Sequence, residues 1–193
     1  MALSFTDHIW EEGSENMGGA IGNLFWIPGS AADISALTCA DGVTLAGNIT
    51  PVDTQKAIEI YATENSIELM DTQQGEIDGE STLNTLNFFT PGSKKELAAL
   101  KRKLTVVPGI WFIRDSDYNW RVLGLAAIQD PDNIGQYFVT KDIQARVTAK
   151  EGTHGTRGDA RKGTTFTVNY TAPHESLFYG GVIPHDSFTP PAE

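Results

Sequence analysis

The sequence predicts a mainly β fold, an antiparallel β-sandwich or barrel with one short flanking α-helix. Three observations lead there. Apolar and polar residues alternate over long stretches of the C-terminal third. Aromatic and β-branched runs are separated by Asp-, Asn- and Gly-rich turns. Only one segment has clear helical spacing.

Taken in order, residues 1–20 read as an extended N-terminal segment of a single β-rich domain spanning 1–193. A chain of 193 residues buries roughly 70% of its unfolded surface and can build its own core. Residues 21–27 are apolar enough for a buried strand, which Pro28-Gly29-Ser30 closes with turn chemistry. Small residues and Thr dominate 31–51, consistent with loop and short strands. Further strands are expected at 56–62, 66–70 and 82–89. Between the last two, residues 71–81 form a polar acidic connection in which Glu76, Asp78 and Glu80 fall at alternate positions. If that stretch is extended, all three carboxylates point the same way.

The helix follows. Ser93 and Glu96 have capping-box spacing, and Leu97, Leu100 and Leu104 recur on one face. Lys101, Arg102 and Lys103 sit toward its C-terminus, where cations complement the dipole. A hairpin is expected next, 110–113 with 120–123, turning through the Asp/Ser/Asn cluster between them. Residues 137–149 and 164–172 alternate as two long antiparallel strands. They flank a Gly-rich loop at 150–163 carrying Lys150, His154, Arg157, Arg161 and Lys162. The chain closes in a tail at 185–193.

Charge is divided unevenly. The net charge is −11, which argues against binding nucleic acid by neutralising phosphates. Residues 1–93 contain fourteen acids and one base, Lys56, whereas 94–193 contain eleven acids and thirteen bases. Such a split fits a surface that faces something special, copies that meet head to tail with opposite signs, or an acidic protein whose charges divide at random.

No constellation for catalysis stands out, and the chain is read as a non-enzyme without cofactor or metal. His8, His154, His174 and His185 share no metal-type spacing. The segment 115–119 opens like a calcium loop but has Trp120 where Gly is required, and 130–135 reaches Lys141 where the bidentate Glu belongs. Cys39 is the single cysteine, so no intrachain disulfide can form, and it reads as a small buried hydrophobe. No apolar run approaches the length of a membrane span, and the N-terminus lacks a basic region followed by an apolar one; the expectation is a non-secreted protein with no membrane partner.

From Phe89 onward the chain resembles the tail tube (major tail) proteins of tailed bacteriophages. The resemblance covers roughly residues 89–172. It rests on Phe89-Thr-Pro-Gly-Ser-Lys-Lys-Glu-Leu-Ala-Ala-Leu100, Ile110-Trp-Phe-Ile-Arg-Asp115, Trp120-Arg-Val-Leu-Gly124 and the strand pair between Lys141 and Thr171. It implies a virion protein, assembled in the host cytoplasm, whose copies form hexameric rings stacked into a tube. DNA would pass through without specific binding, and other tail or connector proteins would be partners. In that setting Glu76, Asp78 and Glu80 are candidates for an acidic lumen or docking surface. Lys150, His154, Arg157, Arg161 and Lys162 are candidates for inter-ring or inter-subunit contact. Two other readings share the composition: a head–tail connector or tail terminator stopping at one ring, and a capsid decoration or carbohydrate-binding β module. A β-class enzyme with a site assembled from scattered residues is a third.

Overall fold

The computed structural model describes residues 20–76, 79–92, 94–153 and 162–186. In chain order these form β1 (Leu24–Pro28), β2 (Ala32–Asp33), β3 (Thr38–Cys39), β4 (Thr44–Ala46), β5 (Thr50–Pro51), β6 (Ile58–Ile60), β7 (Glu68–Gln74) and β8 (Ser81–Pro91). Helix α1 (Lys95–Val106) follows, then β9 (Gly109–Arg114), β10 (Trp120–Leu123), β11 (Ala126–Gln129), β12 (Tyr137–Thr140), β13 (Arg146–Thr153), β14 (Gly163–Ala172) and β15 (Leu177–Tyr179). The expected class is observed: mainly β, with antiparallel sheets and one α-helix among the described residues. The β4–β15 pair is parallel.

A nine-stranded sheet runs β11-β12-β3-β4-β15-β10-β9-β1-β6, and a four-stranded sheet runs β13-β14-β8-β7. The central strands of the larger sheet bury both faces, which is why they read as unbroken apolar runs. In β1, Leu24 and Trp26 face the core shared with the smaller sheet, whereas Phe25 and Ile27 face a second core. β9 divides likewise, with Trp111 and Ile113 on the first side and Ile110 and Phe112 on the second. The second core also takes Leu45 of β4, Val122 of β10, Ala127 of β11 and Tyr179 of β15, so the larger sheet curls around it. Phe88 and Phe166, paired neighbours in the smaller sheet, stack at 5.0 Å between ring centroids, and across the first core Phe88 meets Trp111 at 5.6 Å. Close approach needs glycine at two points. A Cβ on Gly109 would fall 2.3 Å from Trp26 Nε1, and one on Gly124, at φ +95°, would fall 2.5 Å from the Gly109 carbonyl oxygen.

The clearest sequence pattern is observed in β14, where Phe166, Val168, Tyr170 and Ala172 are buried and the residues between them face away. The 110–113/120–123 hairpin is likewise found, pairing Trp120 with Arg114 and Leu123 with Trp111. Its turn is closed by the Asp115 N–H donating to Asn119 O and the Asn119 N–H donating to Asp115 Oδ1.

Three expectations are corrected. Residues 137–149 are not one strand: β12 belongs to the large sheet and β13 to the small one, and 141–145 cross between them. The Lys141 ammonium fixes the crossing by donating to the carbonyls of Gly29 (3.1 Å) and Ala32 (2.6 Å), while Gly109 N–H donates to Ala145 O. Residues 71–74 are not a connection but the second half of β7, and β13 continues to Thr153, four residues into the expected loop. The N-cap of α1 is Lys94, with no side-chain cap bond; Ser93, expected there, lies outside the described residues. Leu104 of α1 is buried against the first core, with Leu100 partly buried beside it.

The inter-sheet contact sets the stability of the fold. Phe88→Ala removes a ring that is 1% exposed and should lower unfolding free energy by about 3–5 kcal/mol in a denaturant titration. A loss below about 1 kcal/mol would mean that the sheets do not depend on this contact.

Candidate functional site: two hairpin tips of opposite charge

The register of the four-stranded sheet decides where the charged segments lie. β7 and β8 pair down to Gln74 opposite Ser81, so residues 75–80 form one hairpin tip. β13 and β14 pair out to Thr153 opposite Gly163, so 154–162 connect the strands at another. The central pair aligns Ala172 with Thr82 and Gly163 with Pro91. The strand ends that these two segments join therefore lie at opposite ends of the same sheet. The eleven residues of β8 separate them by about 33 Å at about 3.3 Å per residue.

Their charges are opposed. Residues 75–80 contain Glu76, Asp78 and Glu80 and no cation. Glu76 and Glu80 are exposed, and Asp78 lies outside the described residues. The Gly79 N–H donates to Glu76 O at 2.9 Å, and Gly75 has φ +105°. The alternate-position geometry expected of Glu76, Asp78 and Glu80 falls partly on residues 77–78, which lie outside the described residues. Behind the tip is a small cleft of about 140 Å³ that adds Asp71 and Glu175 to Glu80. Sequence reasoning included Asp71 in the acidic 71–81 segment but passed over Glu175, which is 104 residues away in the chain and comes beside it only in the fold.

At the other end, Lys150 is exposed on β13 and donates to Thr105 Oγ1 of α1 at 2.8 Å. Lys162 is exposed, and its carbonyl accepts the Gly92 N–H at 2.8 Å. His154, Arg157 and Arg161 lie outside the described residues. The start of α1 lies at this end, bringing Lys94 and Lys95, both exposed. Among the candidates, then, Lys150 and Lys162 fall at the basic end and Glu76 and Glu80 at the acidic end. The arrangement offers opposed electrostatic surfaces among the described residues.

Other residues considered from sequence have structural duties. Trp26, Trp111 and Trp120 are buried. Cys39 is buried, and burial raises its thiol pKa, which keeps it protonated and unreactive. The Asp130 carboxylate accepts bonds from the Asp132 N–H and the Asn133 side chain, capping its own turn, and these bonds hold its pKa below the ordinary value. Arg121 bridges Asp115 at 3.4 Å and Ser176 O at 3.2 Å while its guanidinium lies 3.6 Å above the Phe178 ring, tying the 115–119 turn to β15 and the residue before it.

No family model, no curated protein and no solved structure matches this chain.

Partial desolvation pushes the Asp71 carboxyl up from its ordinary value, the Ser176 hydroxyl bond at 3.1 Å pulls it back, and neighbouring Glu175 adds to the rise. A carboxyl whose folded pKa is raised binds its proton more tightly in the native state. Stability from this position is therefore greatest below the unfolded pKa and falls as pH rises through the folded one. Asp71→Asn keeps an acceptor for Ser176 and removes that fall. The melting temperature should rise at neutral pH and stay unchanged near pH 3; a drop at neutral pH would show that the charge is stabilising.

Proposed function

We propose that this chain is a structural virion protein that self-assembles into hexameric rings, which stack head to tail as a phage tail tube conducting DNA. The observation that carries this reading is the placement of hairpin tips of opposite charge at opposite ends of one sheet. Copies stacked in one direction bring the acidic tip of each to the basic tip of the next. A contact between two different surfaces of the same protein, repeated along one axis, generates an open stack instead of a closed dimer.

Two further features support it. The four-stranded sheet ends in β7 and β13, of seven and eight residues, both at its edges. Exposed edges of that length are templates for pairing with another chain, and edge-to-edge pairing around an axis closes a ring. The face of this sheet turned from the core is rich in hydroxyl and amide groups, including Thr85, Asn87, Thr165, Thr167 and Asn169. By register it carries Arg146 as its single cation, against Glu68 and Glu151, among the described residues. A wall so poor in cations would release few counterions from passing DNA and would not retain it. The order of elements after Phe89, with its resemblance to tail tube proteins, gives the geometry its biological setting.

Charge reversal tests the stacking contact. Arg157→Glu, Arg161→Glu and Lys162→Glu together should leave a folded protein that forms no tubes by electron microscopy. Mixing it with a Glu76→Lys, Glu80→Lys chain should restore growth in alternating copies, more strongly at low salt than at high salt. Tubes of normal length from the triple variant alone would refute tip-to-tip stacking.

A further inference from the structure

The four-stranded sheet ends in β7 on one side and β13 on the other. Apart from Leu69 and Val147, every residue of the two strands is exposed. Among the described residues, neither strand has a sheet partner on its outer edge, which leaves a row of backbone N–H and C=O groups for another chain. Every neighbouring pair in β13-β14-β8-β7 is antiparallel, so the two edge strands of this even-numbered sheet run in opposite directions. Copies related by rotation about one axis along the strands therefore set β7 of one antiparallel to β13 of the next. The alternation of the sheet then continues across the joint.

Strand β8 is a common ruler for the register of that joint. β7 spans it from Ser81 to Asn87, and β13, through β14, spans it from Thr85 to Pro91. With the copies level, only three residues of each strand overlap. An odd displacement turns core-facing side chains to the other face of the continued sheet. A displacement of two overlaps five residues but sets Glu68 directly opposite Glu151, and like charges so placed are destabilising. A displacement of six again overlaps five, with no charged pair. A displacement of four overlaps all seven paired residues and sets Asp71 opposite Lys150. Both belong to the core-facing side, since Asp71 pairs with buried Asn84 and Lys150 with buried Phe166. Neither has an ion pair within its own copy among the described residues, and Asp71 has the like charge of Glu175 nearby. Four residues of displacement over four strands is one per strand, a ratio at which closed barrels tilt their strands by about 36°.

We infer that β7 of one copy pairs with β13 of the next in the register that opposes Asp71 to Lys150 and Thr72 to Ala149. This rests on the ring proposed above and specifies its joint.

Disulfide trapping on the full-length chain tests the register. The native cysteine is buried. Ala149→Cys is combined in turn with Glu68→Cys, Met70→Cys, Thr72→Cys and Gln74→Cys, the partners for displacements of zero, two, four and six. Directly opposed residues have Cα atoms about 4.5–5.5 Å apart, within disulfide reach, whereas diagonal ones are about 7–8 Å apart. Within one copy the two strands are about 14 Å apart, three strand spacings, so every bond formed joins two copies. On mild oxidation the Thr72→Cys pair should give covalent multimers at about five times the yield of any other pair or more. Lys150→Glu should lower that yield about fivefold at low salt, and adding Asp71→Lys should restore it. A maximum at Glu68, Met70 or Gln74, or no bond between copies from any pair, would overturn the inference. Rings seen by electron microscopy with the maximum at another position refute this register and leave the ring standing. A maximum at Thr72 in rings that never stack upholds the register and refutes the tube.

Discussion

The contact between Trp111 and Phe88 is where the two sheets become one protein. Trp111 projects from β9, an interior strand of a sheet already committed on its other face to Ile110, Phe112 and Val122. Phe88 projects from the centre of a sheet with a core on one side only. Burial of large aromatic rings on both sides of this junction supplies the hydrophobic free energy that fixes the sheets face to face. The consequence is an asymmetric division of labour. The central strands of the large sheet are buried on both faces, whereas the small sheet is anchored by a single face, leaving its second face and two edge strands for other uses.

That asymmetry explains which parts of the fold could be read from the chain. β14 declared itself because one face is buried and the other wet, so composition alternates with the pleat. The β9–β10 hairpin was legible because its turn residues carry their own hydrogen-bonding mechanism. The strand expected at 137–149 misled for the same reason that made it attractive. Alternation persists through residues that change sheets, and period-two patterning records which face is buried but not which neighbour is paired. The crossing depends on the Lys141 ammonium reaching Gly29 and Ala32, more than a hundred residues away. β2 to β5 are two or three residues long, too short for any period to register. Residues 71–74 were hidden because an edge strand exposed along its length needs no apolar alternation.

The candidate site was legible in kind but not in place. Counting charges located an acidic segment and a basic one. Nothing in the sequence said that they occupy opposite ends of the same sheet, because that follows from the pairing of β8 with β14 from Thr82–Ala172 to Pro91–Gly163. The same pairing brings Asp71 and Glu175 behind the acidic tip and the start of α1 beside the basic one. The protein thus presents a polarity along the small sheet that is electrostatic as well as structural, and the proposed directional stacking rests on it.

The most direct test is electron microscopy with light scattering on the unmodified protein, over a concentration series at low ionic strength. The account predicts rings that stack into tubes, with scattering rising steeply above a threshold concentration. Dispersed monomers at every concentration would contradict it.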